Sequence, residues 1–178
     1  MKLLEREIGP HHVSCDIGCH LFSILPPFHI GNTTMGYGLG GAGSSALNTP
    51  AGKRAISVMG DGGFGFMMEE LAMACQHQVP VITVIVNNGY LSLIRQNQRY
   101  AYEFEYGVDL SYGERGIDFC KVAEGFGAWA ERVTEPGEIR GALERAVAAN
   151  RPAVIDIVVE RETDAAMGSA IDAVREFD

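Results

Sequence analysis

The sequence predicts an α/β protein whose doubly wound, mostly parallel sheet is covered by helices on both faces. One observation behind this prediction is that strand patterns alternate with helix patterns along the chain. The run Val81–Val86 is β-branched throughout, which is typical of a parallel-sheet strand buried on both sides. In addition, the 22 glycines are clustered, and this clustering is the first indication of a functional site.

The first half of the chain shows this alternation. Val13–Asp16 predicts a short extended run, and the glycine-rich stretch 31–43 predicts a turn that opens a helix with small residues for close packing. Ala55–Met59 predicts a buried strand that ends at Gly60–Gly63. Apolar side chains recur at spacings of three and four from Phe64 to Cys75, which predicts an amphipathic helix before the β-branched strand described above.

The second half repeats the pattern. In chain order it predicts a helix over 90–100, a loop over 104–116, a helix over 119–126, a strand over 129–133, a helix ending at Ala149 and a strand over 153–159. Thr134, Pro136 and Glu138 are the start signals for the helix that ends at Ala149. Residues 1–160 are predicted to form one domain, and the polar residues 161–178 a C-terminal arm.

Composition and charge exclude several classes of function. Lysine and arginine total 14 against 23 aspartate and glutamate residues, so the net charge is −9 and nucleic acid is not an expected partner. The longest apolar runs fall far short of the ~20 residues that a membrane-spanning helix needs, and residues 1–10 have no apolar core typical of a signal peptide. The four cysteines lack the spacing of zinc or iron–sulfur sites, so reduced thiols and a cytoplasmic location are expected.

Polar residues follow two neighbouring strands where each is predicted to end. Gly60-Asp61-Gly62 follows one strand and Asn87-Asn88 the next, so both should face the crevice where α/β proteins bind ligands. Either motif alone is usually an ordinary turn, but the pair at this spacing favours a binding site. A carboxylate and a carboxamide suit Mg²⁺, and the amides of Gly62 and Gly63, at the start of the next helix, could approach a diphosphate closely.

The same residues resemble those of a known family. Gly60-Asp61-Gly62 followed by Asn87-Asn88 resembles the thiamine-diphosphate-binding motif of thiamine-dependent enzymes. Asp16–His20 and Thr34–Leu39 resemble two stretches of acetolactate synthases. In the front half, Gly18-Cys19 and Leu25–Pro27 are more similar to the thiamine domain of indolepyruvate ferredoxin oxidoreductase. From Glu69 onward the chain resembles glyoxylate carboligase, in Glu69–Ala72, Asn87–Leu91, Leu93–Gln96, Gln98–Arg99, Lys121–Gly125 and Met167–Ser169.

This resemblance implies a thiamine-diphosphate-binding fold and roles for individual residues. Asp61, Asn88 and the backbone carbonyl of Tyr90 would bind Mg²⁺. Met35 would hold the cofactor in a bent shape, and the Thr33 carbonyl would accept a hydrogen bond from its aminopyrimidine. No residue is assigned as catalytic, because the cofactor carries the chemistry and the protein positions it. The full set of expected cofactor-binding residues is Ile17, Gly18, Cys19, His20, Thr33, Thr34, Met35, Gly60, Asp61, Gly62, Gly63, Asn88, Tyr90, Leu91 and Leu93.

The resemblance also implies that the chain is half of an active site. In this family a separate domain holds the pyrimidine ring, so we expect a pyrimidine-binding domain or subunit on another chain, within a homo- or hetero-oligomer. The leading hypothesis is a lyase or carboligase module that decarboxylates a 2-oxo acid, joins the resulting carbanion to a second carbonyl, or does both. The alternatives are a subunit of a 2-oxoacid ferredoxin oxidoreductase and a non-catalytic binding or assembly module.

Residues beside the metal motif have two interpretations each. Arg95 and Arg99 lie one turn apart and are expected to be solvated charges, with binding of a substrate carboxylate as the alternative. Tyr90, Leu91 and Leu93 could line a pocket or pack in the core, and the sequence leaves this choice open.

Overall fold

The computed structural model describes residues 11–15, 30–33, 54–111 and 116–161, and their backbone contains one parallel sheet. Its strands are β1 (His11–Cys15), β2 (Ile30–Thr33), β3 (Arg54–Gly60), β4 (Val81–Asn87), β5 (Trp129–Val133) and β6 (Ala153–Val158). Their order across the sheet is β2-β1-β3-β4-β6-β5, and every neighbouring pair is parallel. The predicted α/β fold class is therefore confirmed.

Five helices connect the strands of the described residues: α1 (Asp61–Met67), α2 (Glu70–Gln76), α3 (Ser92–Ala101), α4 (Phe119–Phe126) and α5 (Ile139–Ala149). A single 3-10 turn at Pro136–Glu138 leads into α5. Helix α4 has a capping residue at each end. The Asp118 side chain accepts a hydrogen bond from the Lys121 amide (3.1 Å), and Gly127 ends the helix with a φ of +95°. Among the residues that the structure describes, no helix is both long and apolar enough to cross a membrane.

The core lies on both faces of the sheet, because alternate side chains of each strand point to opposite sides. On one face, strand residues pack against α5; the buried members are Ile56, Val58, Ile82, Val84, Val133, Ala142, Leu143, Ala146, Ala153 and Ile155. On the other face, Phe64 of α1 meets Phe119 of α4 edge to face, with ring centroids 5.4 Å apart. Each fully buried valine, leucine, isoleucine, phenylalanine or methionine side chain contributes about 1.5–3 kcal/mol to stability. The two clusters therefore hold the sheet between its helices.

The structure corrects the single amphipathic helix predicted over 64–75. Two short helices, α1 and α2, take its place, and the first begins at Asp61, directly after β3. Met68 and Glu69 stay in right-handed helical conformations between them. Their carbonyls accept hydrogen bonds from amides only three residues further on (3.1 and 3.0 Å). This tighter winding interrupts the α-helix but keeps the apolar side chains on the same face of the sheet.

A second correction concerns the glycine-rich stretch 31–43, which the sequence predicts to be a turn opening a helix. Residues 30–33 instead form strand β2, which pairs with β1, and the remainder of that stretch lies outside the described residues. The predicted helix 119–126 and strand 129–133 are found with the same bounds. The predicted loop 104–116 agrees with the structure over residues 104–111 and 116.

The register of the sheet brings the two polar motifs together. Strands β3 and β4 are neighbours, and Gly60 lies opposite Val86. Asp61 and Asn88 follow these strands and therefore leave the same edge of the sheet. Thr33 ends β2 on this edge as well, with strand β1 between it and β3.

Candidate functional site

Asp61 begins α1 at the carboxyl end of β3 and is almost completely buried, with 4% of its surface exposed. Gly60, in an extended conformation, takes the chain directly from strand to helix. One carboxylate oxygen, Oδ1, accepts a hydrogen bond from the Gly62 amide (2.9 Å), and Oδ2 accepts one from the Gly89 amide (2.6 Å). Since Gly89 follows β4, this carboxylate joins the ends of two neighbouring strands.

The Asp61 carboxylate has no compensating positive charge among the described residues. The pKa of Asp61 is raised to about 6, mainly because burial disfavours the charged form. The charge of Asp156 adds to this rise, whereas hydrogen bonds from the amides of Gly62 and Gly89 oppose it. Asp156 is also buried, but Arg132 pairs with it at 2.8 Å. No described lysine or arginine pairs with Asp61 in this way. A buried carboxylate without a positive partner is the arrangement expected where a cation binds.

The Asn88 side chain lies just beyond β4, and hydrogen bonds within its own loop hold it. Its Oδ1 accepts a hydrogen bond from the Tyr90 amide (3.2 Å), and its Nδ2 donates to Oγ of Ser92 (2.5 Å). The Ser92 hydroxyl donates in turn to the Tyr90 carbonyl (3.3 Å). Because a hydroxyl can accept and donate at once, Ser92 links the Asn88 amide to the Tyr90 carbonyl.

Two arginine side chains lie over the Tyr90 ring. The guanidinium carbons of Arg95 and Arg161 are 4.1 and 4.2 Å from the ring centroid. The expectation that Arg95 is a solvated charge is wrong, because the residue is only 4% exposed and its Nε donates to Glu105 (3.0 Å). An acidic partner and an aromatic face allow this guanidinium to be buried. Arg99 is more exposed and also pairs with Glu105 (3.0 Å).

The donor groups at this edge of the sheet fit Mg²⁺. They are the Asp61 carboxylate, the Asn88 amide oxygen and the Tyr90 backbone carbonyl, all hard oxygens with lone pairs beyond those used in hydrogen bonds. Among the residues that the structure describes, no group of three or more histidine, cysteine, aspartate or glutamate side chains could hold a metal. One carboxylate with neutral oxygens suits an ion that takes its other ligands from water and phosphate.

Gly62 and Gly63 lie in the first turn of α1. A Cβ on Gly62 would lie 2.7 Å from Cδ2 of Leu91 and 3.2 Å from Cδ1 of Leu110. The absence of a side chain at this position therefore lets the loop that follows β4 approach α1. Leu91 and Leu93 are both half-buried. For Leu91, packing against the first turn of α1 is one role that the structure shows.

The remaining predicted site residues are placed in part. Thr33 lies at the same edge of the sheet as Asp61 and Asn88. Six predicted cofactor-binding residues lie outside the described residues: Ile17, Gly18, Cys19, His20, Thr34 and Met35. Their roles stay predictions, as do the metal-binding roles of the residues that the structure brings together.

Ser92, Asp109 and Arg161 take part in the hydrogen bonds of this site, although none of them stands out in the sequence. Ser92 follows Asn88 by four residues, and this spacing at the start of a helix is a weak local signal for a side-chain contact. Asp109 reaches the loop because its backbone forms an antiparallel bridge with Tyr90. Arg161 reaches it from beyond β6, and no local pattern marks it.

Comparison with known proteins identifies the class to which the chain belongs. Residues 16–157 match the family model described as thiamine pyrophosphate enzyme, C-terminal TPP binding domain. The chain belongs to this family. Thiamine pyrophosphate (TPP) and thiamine diphosphate are two names for the same cofactor.

Relatives of known activity are longer than this chain. Glyoxylate carboligase from Escherichia coli O157:H7 is 41% identical over 138 residues, which cover 71% of this chain and 23% of the relative. Acetolactate synthase from Bacillus subtilis (strain 168) is 31% identical over 171 residues, which cover 90% of this chain and 29% of the relative. The solved thiamine diphosphate-dependent 4-hydroxybenzoylformate decarboxylase of Rhodococcus jostii RHA1 matches with a TM-score of 0.76 and 25% identity, covering 89% of this chain and 31% of its own. The chain thus spans less than a third of each protein.

These matches support the resemblance to glyoxylate carboligase and acetolactate synthase. They give no support to the resemblance between the front half and indolepyruvate ferredoxin oxidoreductase.

Proposed function

We propose that this chain is the part of a thiamine-diphosphate-dependent enzyme that binds the diphosphate and Mg²⁺. The enzyme would decarboxylate a 2-oxo acid, join the product to a second carbonyl, or do both in turn. The observation that carries this proposal is the buried Asp61 carboxylate, which lacks a positive partner among the described residues and bonds to the loop that presents Asn88 and Tyr90. The names of the relatives, a carboligase, a synthase and a decarboxylase, support carbon–carbon bond chemistry.

The chain's own residues would anchor and orient the cofactor. Asp61, Asn88 and the Tyr90 carbonyl would be the protein ligands of Mg²⁺, and the first turn of α1, with Gly62 and Gly63, would lie beside the diphosphate. A divalent cation next to Asp61 offsets the cost of burying its charge, so the carboxylate would stay ionised at neutral pH. When bound, thiamine diphosphate supplies a nucleophilic carbon that can hold the electron pair released by loss of CO₂.

The rest of the active site would come from a pyrimidine-binding domain, either on another chain or in another part of a longer protein. The coverage of the relatives supports this, because this chain matches only 23% of glyoxylate carboligase and 29% of acetolactate synthase. The assembly would be a homo- or hetero-oligomer, and co-purification of the chain with its partners is the direct way to find the completing domain.

Calorimetric titration with thiamine diphosphate, with and without Mg²⁺, tests the binding part of the proposal. We expect binding that requires Mg²⁺ and that is lost in Asp61→Asn. Glu135→Gln is the matched control, because it removes the same charge from an exposed position. If neither the chain nor the complex purified with it binds the cofactor in the presence of Mg²⁺, the proposal is wrong.

Turnover of 2-oxo acids by the completed assembly tests the chemistry. Glyoxylate and 4-hydroxybenzoylformate are the first substrates to try, because they occur in the names of two relatives. Release of CO₂ without reduction of a viologen dye supports the proposal, and a new carbon–carbon bond in the product supports a carboligase. Dye reduction would instead indicate an oxidoreductase, and a complete assembly without thiamine-dependent turnover would indicate a non-catalytic module.

A further inference from the structure

The peptide group between Asn88 and Gly89 is held at both ends by charged side chains. Its carbonyl oxygen, on Asn88, accepts a hydrogen bond from Nε of Arg161 (3.2 Å). Its N–H, on Gly89, donates to Oδ2 of Asp61 (2.6 Å). The C=O and N–H of a trans peptide point in opposite directions, so Arg161 and Asp61 fix this peptide plane from opposite sides.

Arg161 makes further contacts with the same loop. Its Nη2 lies 3.5 Å from the Gly89 carbonyl and 3.1 Å from Oδ1 of Asp109. Its guanidinium also covers the Tyr90 ring at 4.2 Å. One side chain therefore contacts three consecutive residues, of which the first and third are predicted Mg²⁺ ligands.

The backbone is arranged to receive this arginine. Beyond β6 the chain continues beside the end of β4, where the Val159 amide donates to the Asn87 carbonyl (2.8 Å). Gly89 has a φ of +72°, and a Cβ on it would lie 3.3 Å from Nε of Arg161. The missing side chain at Gly89 therefore leaves space for the guanidinium against the loop.

We propose that Arg161 is a positioning residue that orients the Asn88–Gly89 peptide and, through it, the Asp61 carboxylate and the donors on Asn88 and Tyr90. The metal-binding consequence rests on the proposed function, whereas the ordering of the loop does not. A cation at the carbonyl end polarises the peptide group and strengthens the hydrogen bond from its N–H to Asp61. Lysine lacks the planar fork that reaches several acceptors at once, so it should replace this arginine only in part.

The ion pair between Arg161 and Asp109 does not account for this arrangement by itself. Both side chains are substantially exposed, and ion pairs of this kind contribute little to stability. Removal of Arg161 is therefore expected to loosen the loop and leave the overall fold intact.

Hydrogen-exchange mass spectrometry of the full 178-residue chain tests the ordering role. In Arg161→Ala we expect peptides over 87–91 to exchange about tenfold faster, because the peptide plane loses one of its two anchors. Arg161→Lys should be intermediate. Arg145→Ala is the matched control, since it removes an arginine whose partner is Glu131, away from this loop, and should leave these peptides unchanged. Peptides from β3 and β4 report whether each variant is folded. If Arg161→Ala does not fold, the exchange of Arg161→Lys over 87–91 decides whether Arg161 orders the loop.

The affinity for Mn²⁺ in the presence of thiamine diphosphate, from the electron paramagnetic resonance signal of free Mn²⁺, tests the metal role. Residues that orient metal ligands typically change affinity about 10–100-fold, and we expect about a tenfold loss in Arg161→Ala with partial recovery in Arg161→Lys. Unchanged exchange over 87–91, or unchanged Mn²⁺ affinity despite faster exchange, overturns the inference. If Arg161→Ala exchanges faster over 87–91 but the wild-type chain binds no Mn²⁺, the result supports the ordering role and counts against the proposed function.

Discussion

The Gly89 amide donates a 2.6 Å hydrogen bond to Oδ2 of Asp61, although the two residues lie 28 positions apart in the sequence. The contact follows from the sheet, because β3 and β4 are parallel neighbours and the residues after them meet at one edge. It also means that backbone amides, with no basic side chain among the described residues, hold this buried carboxylate. Its response to pH and to metal should therefore differ from that of an ordinary ion pair.

The stability of the metal-free chain should fall as pH rises through the pKa of Asp61. Burial raises this pKa from 3.8 to about 6, so the folded state binds the proton more tightly than the unfolded state. The resulting stabilisation is fully present below about pH 4, is lost as pH rises through about 6, and amounts to about 3 kcal/mol. Urea unfolding of the wild type and of Asp61→Asn across this range measures it, as the difference between the two free energies of unfolding.

Asp61→Asn is the reference for this titration, because an asparagine cannot ionise. Saturating Mg²⁺ and thiamine diphosphate should suppress the decline in the wild type, since a bound cation keeps the carboxylate charged at little cost. A difference between the two proteins that stays constant from about pH 4 to about pH 8 would show that Asp61 does not titrate as described.

Alanine at Gly62 and alanine at Gly65 should have different effects, although both residues lie in α1. A Cβ at Gly62 would lie 2.7 Å from Leu91, whereas one at Gly65 meets no atom within 4 Å. Alanine is better than glycine in a helix by about 1 kcal/mol, so Gly65→Ala is expected to stabilise the chain by about 0.5–1 kcal/mol. Gly62→Ala should lose that gain, displace the Leu91 side chain and weaken cofactor binding, as thermal unfolding and calorimetry would show. Equal cofactor affinity in the two variants would contradict the close packing of Leu91 on α1.

Local patterns were sufficient to predict the elements that position the site. Apolar runs predicted β3 and β4, and the rule that parallel strands end at one edge predicted that Asp61 and Asn88 lie close together. The break between α1 and α2 was not predicted, because the apolar spacing continues across Met68 and Glu69 while only the hydrogen bonding changes.

Contacts between distant parts of the chain could not be predicted from local patterns. Arg95 resembles a surface arginine until the fold places Glu105 and the Tyr90 ring beside it. Arg161 contacts the Asn88 carbonyl from 73 residues away, and no spacing rule extends that far. Charged side chains whose partners lie elsewhere in the sequence are therefore the part of the site that only the fold reveals.

Arg132→Ala should destabilise the chain more than Arg145→Ala. Asp156 is fully buried and accepts hydrogen bonds from Arg132 (2.8 Å) and from Asn87 (2.9 Å), so loss of the arginine leaves a buried charge. Removing one partner of a buried pair costs about 3–5 kcal/mol, and the partial exposure of Arg132 lowers our expectation to about 2–3 kcal/mol. Arg145 forms an exposed pair with Glu131, so its removal should cost much less stability.

Chemical denaturation of both variants measures this difference, and a compensating change checks its cause. Asp156→Asn added to Arg132→Ala removes the unpaired charge and should restore part of the lost stability. If the double variant is no more stable than Arg132→Ala, a cause other than the buried charge is responsible.

Gly89→Ala should destabilise the chain more than Gly107→Ala, although the two glycines have similar backbone angles, with φ of +72° and +65°. A residue with a Cβ pays about 1–2 kcal/mol in this left-handed region, and that cost is common to both variants. A Cβ at Gly107 meets no atom within 4 Å, whereas one at Gly89 would lie 3.3 Å from Nε of Arg161. The excess cost of Gly89→Ala, which we expect to be about 1 kcal/mol, therefore reports displacement of this arginine.

Free energies of unfolding in the Arg161→Ala background check the assignment, because the excess should vanish once the side chain is absent. An excess that persists there would place the strain in the loop backbone and not in its contact with Arg161.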